Sequence, residues 1–248
     1  MIDLTIHTQP DDESCGPTSL HALYQYYGLD IELEQVIKGI ERSHSGGTIA
    51  PMLGKHALQL NFSAIIYVNN VSLFDPTWFD PLHGESVWEN LAGKLKAQMK
   101  HKTEMRFLQE SQAYLEFLEL GGQIRFRTLS LHLLKKYFLQ NIPILTGLSA
   151  TYLYRCSREL YNEKGEALYD DIRGTPCGHF VVLCGYDESK RNIVVADPHR
   201  ANPISHDNYY KVSSIRLINA ILLGVLTYDA NLLIIQPRVM NANYNRNG

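Results

Sequence analysis

The apolar residues of the N-terminal quarter recur at the spacing of α-helices. Over residues 17–28 they fall on one helical face, and Gly28 ends the run. Ser14 is a candidate N-cap for this helix, because a serine hydroxyl can accept from a free backbone N–H of the first turn. The same reasoning predicts further elements downstream: helices over 33–40 and 48–60 and a strand over 62–68.

The middle of the chain has a second helical pattern. It opens with two Asp-Pro pairs, Asp75-Pro76 and Asp80-Pro81, which favour turns. Residues 86–89 then have the spacing of a capping box. Helices are predicted over 88–99 and 104–120. The first of them carries an apolar stripe at Trp88, Leu91, Leu95 and Met99.

The second half of the chain is richer in strand patterns. Short apolar runs predict a strand over 123–127, a helix over 129–139 with Ser130 as its cap, strands over 143–148, 178–185 and 193–196, a helix over 213–222 and a strand over 232–236. A long polar loop is expected over 155–176. Helices concentrated in the first half of the chain and strands in the second half are typical of an α+β fold rather than of alternating βαβ units.

This order predicts four parts: an N-terminal helical half over 1–70, a helical insertion over 71–123, a sheet half over 124–237 and a flexible tail over 238–248.

Composition excludes several classes of protein. The 248 residues are 45% hydrophobic and 20% charged, as in ordinary globular proteins. The net charge of -3 does not support nucleic-acid binding. Because no apolar run reaches ~18 residues and no signal peptide is recognisable, we expect no membrane span and a cytoplasmic location, although secretion without a signal stays open.

The four cysteines contain no C-x-x-C pair and do not form a disulfide framework, which favours free thiols in a reducing compartment. Cys15 is the first candidate for chemistry. It lies at the predicted start of a helix, where the helix dipole stabilises a thiolate, the nucleophilic form of cysteine. The alternative is a small buried structural residue.

Gln9 lies six positions before Cys15 in a polar segment that contains Pro10. A turn there would return its side-chain amide to the thiol, where it would donate one hydrogen bond to an oxyanion. The backbone N–H of Cys15 would be the second donor. The alternative is a solvated loop glutamine.

His179 and Asp197 are candidates for the partners of the thiol. His179 opens a buried strand, and Asp197 follows the strand that returns from a hairpin. A carboxylate in that place would fix the imidazole tautomer and stabilise the imidazolium. Taken singly, each residue also fits a structural role, a core histidine or an Asp-Pro turn.

A resemblance to a known family ties these residues together. Three stretches resemble the C39-type cysteine peptidases, which have a papain-like fold and are best known as leader-peptide-processing domains of bacteriocin exporters. They are Gln9-x5-Cys15-Gly16-Pro17-Thr18, Gly178-His179-Phe180-Val181-Val182 and Val194-Val195-Ala196-Asp197-Pro198.

The resemblance implies a papain-like α+β fold with a helical insertion and a thiol-dependent hydrolase. Cys15 would be the nucleophile, His179 the general base and acid, Asp197 the orienting residue and Gln9 the oxyanion-hole donor. The substrate would be a peptide or protein, and no cofactor would be needed. Two alternatives remain: acyl transfer to an amine by the same residues, as in a transglutaminase, and a non-catalytic peptide-binding module.

A metal site made of Cys177, His179, His199 and His206 is a further alternative, but these residues have no standard ligand spacing. Strand alternation places Cys184 opposite His179, in the core, and Cys177 on the same face as His179, at the rim of the site. Tyr152, Tyr154 and Tyr161 are candidates for an aromatic substrate wall. The sequence leaves the oligomeric state open.

Overall fold

The computed structural model describes residues 1–43, 46–80, 88–161, 167–227 and 230–238. Its helices are α1 Cys15–Tyr26, α2 Leu33–Gly39, α3 Ala50–Gln59, α4 Trp88–Met99, α5 Met105–Glu119, α6 Leu131–Phe138, α7 Ala150–Tyr154 and α8 Ser214–Leu223. Single 3₁₀ turns cover Pro76–Trp78 and Gly224–Thr227. No helix in this part of the chain is both long enough and apolar enough to cross a bilayer.

The strands form one large sheet and a small hairpin. They are β1 Phe62–Val68, β2 Gln123–Arg125, β3 Ile144–Ser149, β4 Glu159–Tyr161, β5 Ala167–Tyr169, β6 Gly178–Asp187, β7 Asn192–Ala196, β8 Tyr209–Ser213 and β9 Asn231–Pro237. The large sheet has the order β2-β1-β9-β3-β6-β7-β8, and β4 pairs with β5 apart from it. All neighbours in the large sheet are antiparallel except β1 and β2.

Strand β6 is buried between two hydrophobic layers. Phe180, Val182 and Cys184 join the cluster formed with α1, α3, α4 and α5. Val181 and Leu183 join the cluster on the other face, formed with α6, α7 and α8. Each fully buried aliphatic side chain contributes about 1.5–3 kcal/mol. The strand is therefore held on both faces, and this fixes the position of His179 near its start.

Most of the predicted elements are confirmed, with ends that shift by at most two residues. Ser130 caps α6, since its hydroxyl accepts from the backbone N–H of Leu133. The apolar stripe of α4 is confirmed for Leu91 and Leu95, which are buried, and for Met99, which packs on the same cluster. Three predictions lie outside the described residues: the capping box over 86–89, the Pro81 turn and the tail beyond Arg238.

The polar loop predicted over 155–176 is partly wrong. It contains the β4–β5 hairpin, which is tied to the chain ahead of β6 by a bridge between Glu159 and Thr175. Helix α7 and strand β8 were also not predicted. Both have only five residues, and runs this short are weak periodic signals.

Helices α4 and α5 of the predicted insertion pack on the same cluster as α1 and α3. Phe117 of α5 lies so close to Gly54 of α3 that a Cβ there would be 2.6 Å from its ring. Strand β1 of the predicted helical half pairs with β9 at the end of the chain. The division into halves and insertion stays a prediction.

Candidate active site

Helix α1 begins at Cys15 and lies directly against β6. A Cβ atom at Gly16 would be 2.3 Å from Oγ1 of Thr48 and 3.3 Å from the ring of Phe180, so a glycine is needed for this close approach. One turn on, the hydroxyl of Ser19 donates to the backbone oxygen of Phe180 at 3.2 Å. Because Phe180 follows His179 in β6, this packing holds the start of α1 beside the histidine.

The segment ahead of α1 is held by one backbone oxygen. The hydroxyl of Ser14 donates to the backbone oxygen of Asp11 at 3.2 Å. Ser14 therefore occupies the predicted N-cap position, but its side chain makes no capping hydrogen bond to the helix. The expected capping contact is wrong because the Ser14 backbone, at φ -100° and ψ 12°, lies outside the extended region that N-cap residues adopt. The half-buried thiol of Cys15 lies where the loop meets the helix.

His179 links the thiol to the carboxylate. It is the second residue of β6, opposite Leu148 of β3, and its side chain is 8% exposed. Its Nε2 lies 2.8 Å from Oδ1 of Asp197 and must donate there, because a carboxylate only accepts. The side chain of Cys15 is close enough to His179 to raise its pKa, and because Nε2 is engaged by Asp197, Nδ1 is the nitrogen left for the thiol.

Asp197 is fully buried directly after β7. Its Oδ1 accepts from His179 Nε2 and from the backbone N–H of His199, each at 2.8 Å. Its Oδ2 accepts from the hydroxyls of Tyr154 and Tyr210, each at 2.7 Å. A buried charge is tolerated when it is paired and hydrogen-bonded, and both oxygens of this carboxylate are.

The two charges shift each other's pKa. Burial opposes protonation of His179, but the charge of Asp197 and hydrogen bonds to Asp197 and Cys15 outweigh it and raise the His179 pKa to about 10. Burial favours the neutral form of Asp197, yet the His179 charge and the bonds from His179 and the two tyrosines lower its pKa. An imidazolium–carboxylate pair is therefore the stable state near neutral pH.

Gln9 is folded back toward the same region. Its backbone N–H donates to the backbone oxygen of Pro198 at 2.9 Å, next to Asp197. Its side-chain Nε2 donates to the backbone oxygen of Asp11 at 2.8 Å, the same oxygen that Ser14 uses. One amide hydrogen of Gln9 is thus engaged in the loop and the second is left for another acceptor. Its role at an oxyanion stays a prediction.

A cavity of about 450 Å³ opens beside Gln9 and His199. The ring of His199 lies 6.2 Å from the rings of both His179 and Tyr154, measured between ring centres. Burial and the nearby His179 charge lower the pKa of His199. The cavity is lined on its other side by Asp11 and Asp12, and it lies beside Cys15 and His179 without including either in its lining.

The remaining cysteines do not join this hydrogen-bonded chain. Cys184 is buried in the core, as predicted, and burial raises its pKa to about 12. Cys177 is half-buried near the site, and burial together with Glu159 raises its pKa. Within the described parts of the chain, no three His, Cys, Asp or Glu side chains are grouped so as to hold a metal ion.

The tyrosines differ from the predicted substrate wall. Tyr154 contacts the site through its hydroxyl, which points to Asp197. Tyr152 is 40% exposed and Tyr161 is 58% exposed on β4. Tyr210, the other donor to Asp197, was missed altogether. Tyr210 lies in β8, where residues alternate between exposed and buried. Such an alternation indicates a strand, but it does not indicate which side chain contacts Asp197.

A cysteine at the start of a helix, packed against an antiparallel sheet that carries His and Asp, defines the papain-like α+β class. The sequence matches the profile of the Peptidase_C39 like family over residues 1–216. The chain belongs to this family of cysteine peptidases, which act on peptides, and the predicted fold, family and thiol-peptidase activity are confirmed.

One solved structure supports the fold, and a second is more distantly similar. A crystal structure described as that of a C39-like peptidase from Bacillus anthracis is 15% identical, with a TM-score of 0.51 and coverage of 96% of each chain. A double glycine motif protease from an AMS/PCAT transporter, solved with its leader peptide, is 15% identical over 95% of this chain and 93% of that one, with a TM-score of 0.41. None of the curated proteins is similar enough to count as a relative.

Proposed function

We propose that Cys15, His179 and Asp197 are the catalytic triad of this cysteine peptidase, with Gln9 as an oxyanion donor. The observation that carries the proposal is that His179, whose Nε2 bonds the buried Asp197 at 2.8 Å, has the Cys15 side chain close enough to raise its pKa. A nucleophile bonded to a base, which is in turn oriented by a third group, is the arrangement that covalent catalysis requires.

In the first half of the reaction, His179 carries the proton and the sulfur of Cys15 attacks as the thiolate, forming a bond to the carbonyl carbon of a peptide. The carbonyl electrons move to oxygen, and the oxyanion accepts from the backbone N–H of Cys15 and from the second amide hydrogen of Gln9. As the C–N bond breaks, His179 gives its proton to the departing amine. The acyl group remains on Cys15 as a thioester.

In the second half, water attacks the thioester carbon while His179 takes one of its protons. The C–S bond then breaks, the acid product leaves, and the sulfur is released as a thiolate beside protonated His179. Asp197 stays ionised throughout and holds the ring in one tautomer. Proton transfer by a positioned base of this kind contributes typically ~10²–10⁴-fold to the rate.

The substrate is a peptide or a protein segment that binds beside the loop at Gln9, where a cavity lined by Gln9, Asp11 and His199 opens to solvent. The four free cysteines fit a reducing compartment, and on this ground we assign the protein to the cytoplasm.

A peptide library tests the proposal without a known substrate. The purified chain is incubated with peptides prepared from a bacterial proteome, and new termini are identified by mass spectrometry. Cleavage at a shared motif is expected from the wild type and from Cys156→Ala, whose half-buried thiol lies outside the triad. It should vanish in Cys15→Ala. Cleavage that persists in Cys15→Ala would overturn the assignment.

A further inference from the structure

Two tyrosine hydroxyls donate to the Asp197 carboxylate, in addition to the bond from His179 that a catalytic triad requires. Tyr154 is the last residue of α7, and Tyr210 is the second residue of β8. Their hydroxyls meet at the same oxygen, Oδ2, each at 2.7 Å. The opposite oxygen, Oδ1, is the one bonded to His179.

The four donors fix the plane of the carboxylate. Two donate to Oδ2 and two to Oδ1, so a rotation that tilts the carboxylate out of this plane would weaken four hydrogen bonds at once. Hydrogen bonds to a charged group are stronger than those between neutral groups, so this plane, in which one oxygen faces His179, is strongly preferred.

We propose that Tyr154 and Tyr210 are positioning residues that form a hydroxyl clamp, which keeps Asp197 ionised and turned toward His179. The proposal rests on the catalytic role proposed above for His179 and Asp197. It predicts that these two hydroxyls set the acidic limit of the pH range in which the triad operates.

The charged and titratable groups around Asp197 agree with this role. His179 faces it from β6, His199 from the loop after β7 through both its backbone N–H and its titratable ring, and the two tyrosines from α7 and β8. Arg216 of α8 lies near Tyr210, and Cys15 of α1 lies near Tyr154. Burial and the charge of Asp197 raise the pKa of both tyrosines, so their hydroxyls stay protonated and remain donors.

Loss of a donor removes stabilisation from the carboxylate form alone. The pKa of Asp197 should therefore rise, since the neutral acid does not need these bonds. A lost bond to a charged group corresponds to a rise of about one pH unit, given 1.36 kcal/mol for each unit. Loss of both should move the titration by about two units toward neutrality.

The test compares Tyr154→Phe, Tyr210→Phe and the double variant with two matched controls. Tyr152→Phe alters the same helix at a hydroxyl that accepts from Asn219 at 3.5 Å. Tyr209→Phe alters the same strand at a hydroxyl bonded to the backbone of Ile6 and Leu4. Titration of the Asp197 carboxyl is followed by carbon-13 NMR, with Asp197→Asn to identify the signal.

The expected result is a rise in the Asp197 pKa for each clamp variant, additive in the double variant, with no change in the controls. In the peptide-cleavage assay, the double variant should lose activity on the acid side of the profile and keep most of it above neutral pH. An Asp197 titration at the wild-type pH in a folded double variant would overturn the clamp. So would an equal loss of activity at every pH, which a merely structural role would produce.

Two features keep this test independent of the proposed function. The NMR titration needs no turnover, so an inactive wild type would count against the triad while the clamp is still measured. If the double variant fails to fold, each single variant removes one hydroxyl and carries the same prediction. An unchanged Asp197 titration in both single variants would overturn the clamp equally.

Discussion

The two ends of the proposed triad are built differently. At the carboxylate end, which comprises Asp197, Tyr154, Tyr210 and the His199 backbone, Asp197 is fully buried and both of its oxygens are bonded. At the nucleophile end, which comprises residues 9–15, most side chains are exposed or half-buried. Its contacts are those of a surface loop, such as the Asp11 carboxylate that accepts from the backbone N–H of Glu13 at 2.9 Å.

This difference separates two tasks. The carboxylate end fixes the histidine ring in advance, in a place that water does not reach. The nucleophile end must admit a peptide and therefore cannot be closed by the protein's own side chains. Electrostatic catalysis depends on such preorganisation, since groups that are already in place need not reorganise during the reaction. Substitutions at the two ends should therefore differ in their effects on activity and stability.

The largest effect is expected at the carboxylate end. Asp197→Asn keeps the size of the side chain but removes its charge, so the tautomer and charge of His179 are no longer fixed. A loss of about 10⁴-fold in kcat is known for the same change in a serine protease triad. We expect kcat/KM in the peptide-cleavage assay to fall by at least ~10³-fold.

Asp170→Asn is the matched control, since this aspartate is partnered by Arg173 outside the site. It should leave kcat/KM close to the wild-type value. If Asp197→Asn retained a tenth or more of the activity, the carboxylate end would not matter as described.

The next effect is expected at the nucleophile end. Gln9→Ala removes the proposed oxyanion donor, and removal of one such donor costs about 10²–10³-fold in kcat. Gln9→Glu, which keeps the shape but loses the amide hydrogens, should be impaired to a similar extent. KM should change little in both, because the hydrogen bond is stronger in the transition state than in the ground state. A change confined to KM would assign Gln9 to substrate binding instead.

A smaller effect is expected where the two ends are packed together. Gly16→Ala places a Cβ 2.3 Å from Thr48 Oγ1 and forces α1 away from β6. Overpacking of this kind costs about 1–3 kcal/mol of folding free energy. Gly47→Ala, where a Cβ would meet nothing within 4 Å, is the control.

Urea unfolding measures that cost, and Thr48→Ala combined with Gly16→Ala should recover part of it. The same cleavage assay should show a loss of activity that follows the displaced helix. A Gly16→Ala protein as stable and active as wild type would show that close packing is not what positions Cys15.

The smallest effect is the pH dependence of stability. The His179 pKa is raised to about 10, so the stability from its ion pair is fully present below about pH 6.5 and is lost as the pH rises through about 10. The Asp197 pKa is lowered, so its contribution is present above about pH 3.8 and is lost as the pH falls through the folded-state value.

Desolvation offsets much of the attraction in a buried pair, so we expect a change of about 1–2 kcal/mol across the alkaline window. Urea unfolding of wild type and His179→Gln between pH 6 and pH 10.5 measures it. The difference between the two proteins should shrink as the pH rises. A difference that stays constant over this range would contradict a charged His179.

The nucleophile helix and the His strand could be predicted because each carries a long apolar run, and the short Asp strand because it lies between a polar turn and Asp197-Pro198. The carboxylate end could be predicted only in part. Tyr210 lies on a five-residue strand, thirteen positions from Asp197, and its bond depends on how β8 returns along β7. Contacts of this kind follow from tertiary packing, which local periodicity does not encode.

For Gln9, the turn could be predicted from the sequence but the hydrogen-bond partner could not. A turn that returns it toward the thiol could be inferred from Pro10 and the polar residues around it, and the structure places such a turn there. The partner of its amide could not be inferred, because the backbone oxygen of Asp11 competes with any substrate for that donor. Polar loop contacts have too many near-equal alternatives for a sequence pattern to select one.

The central claim is that the side chains of Cys15 and His179 act as a pair. The most direct measurement is the rate at which iodoacetamide alkylates each cysteine at pH 6, read by mass spectrometry of the intact chain and its peptides. Cys15 should react far faster than the half-buried Cys156, and His179→Gln should slow Cys15 at least tenfold while Cys156 is unchanged. Equal, slow rates for the two cysteines in the wild type would contradict the account.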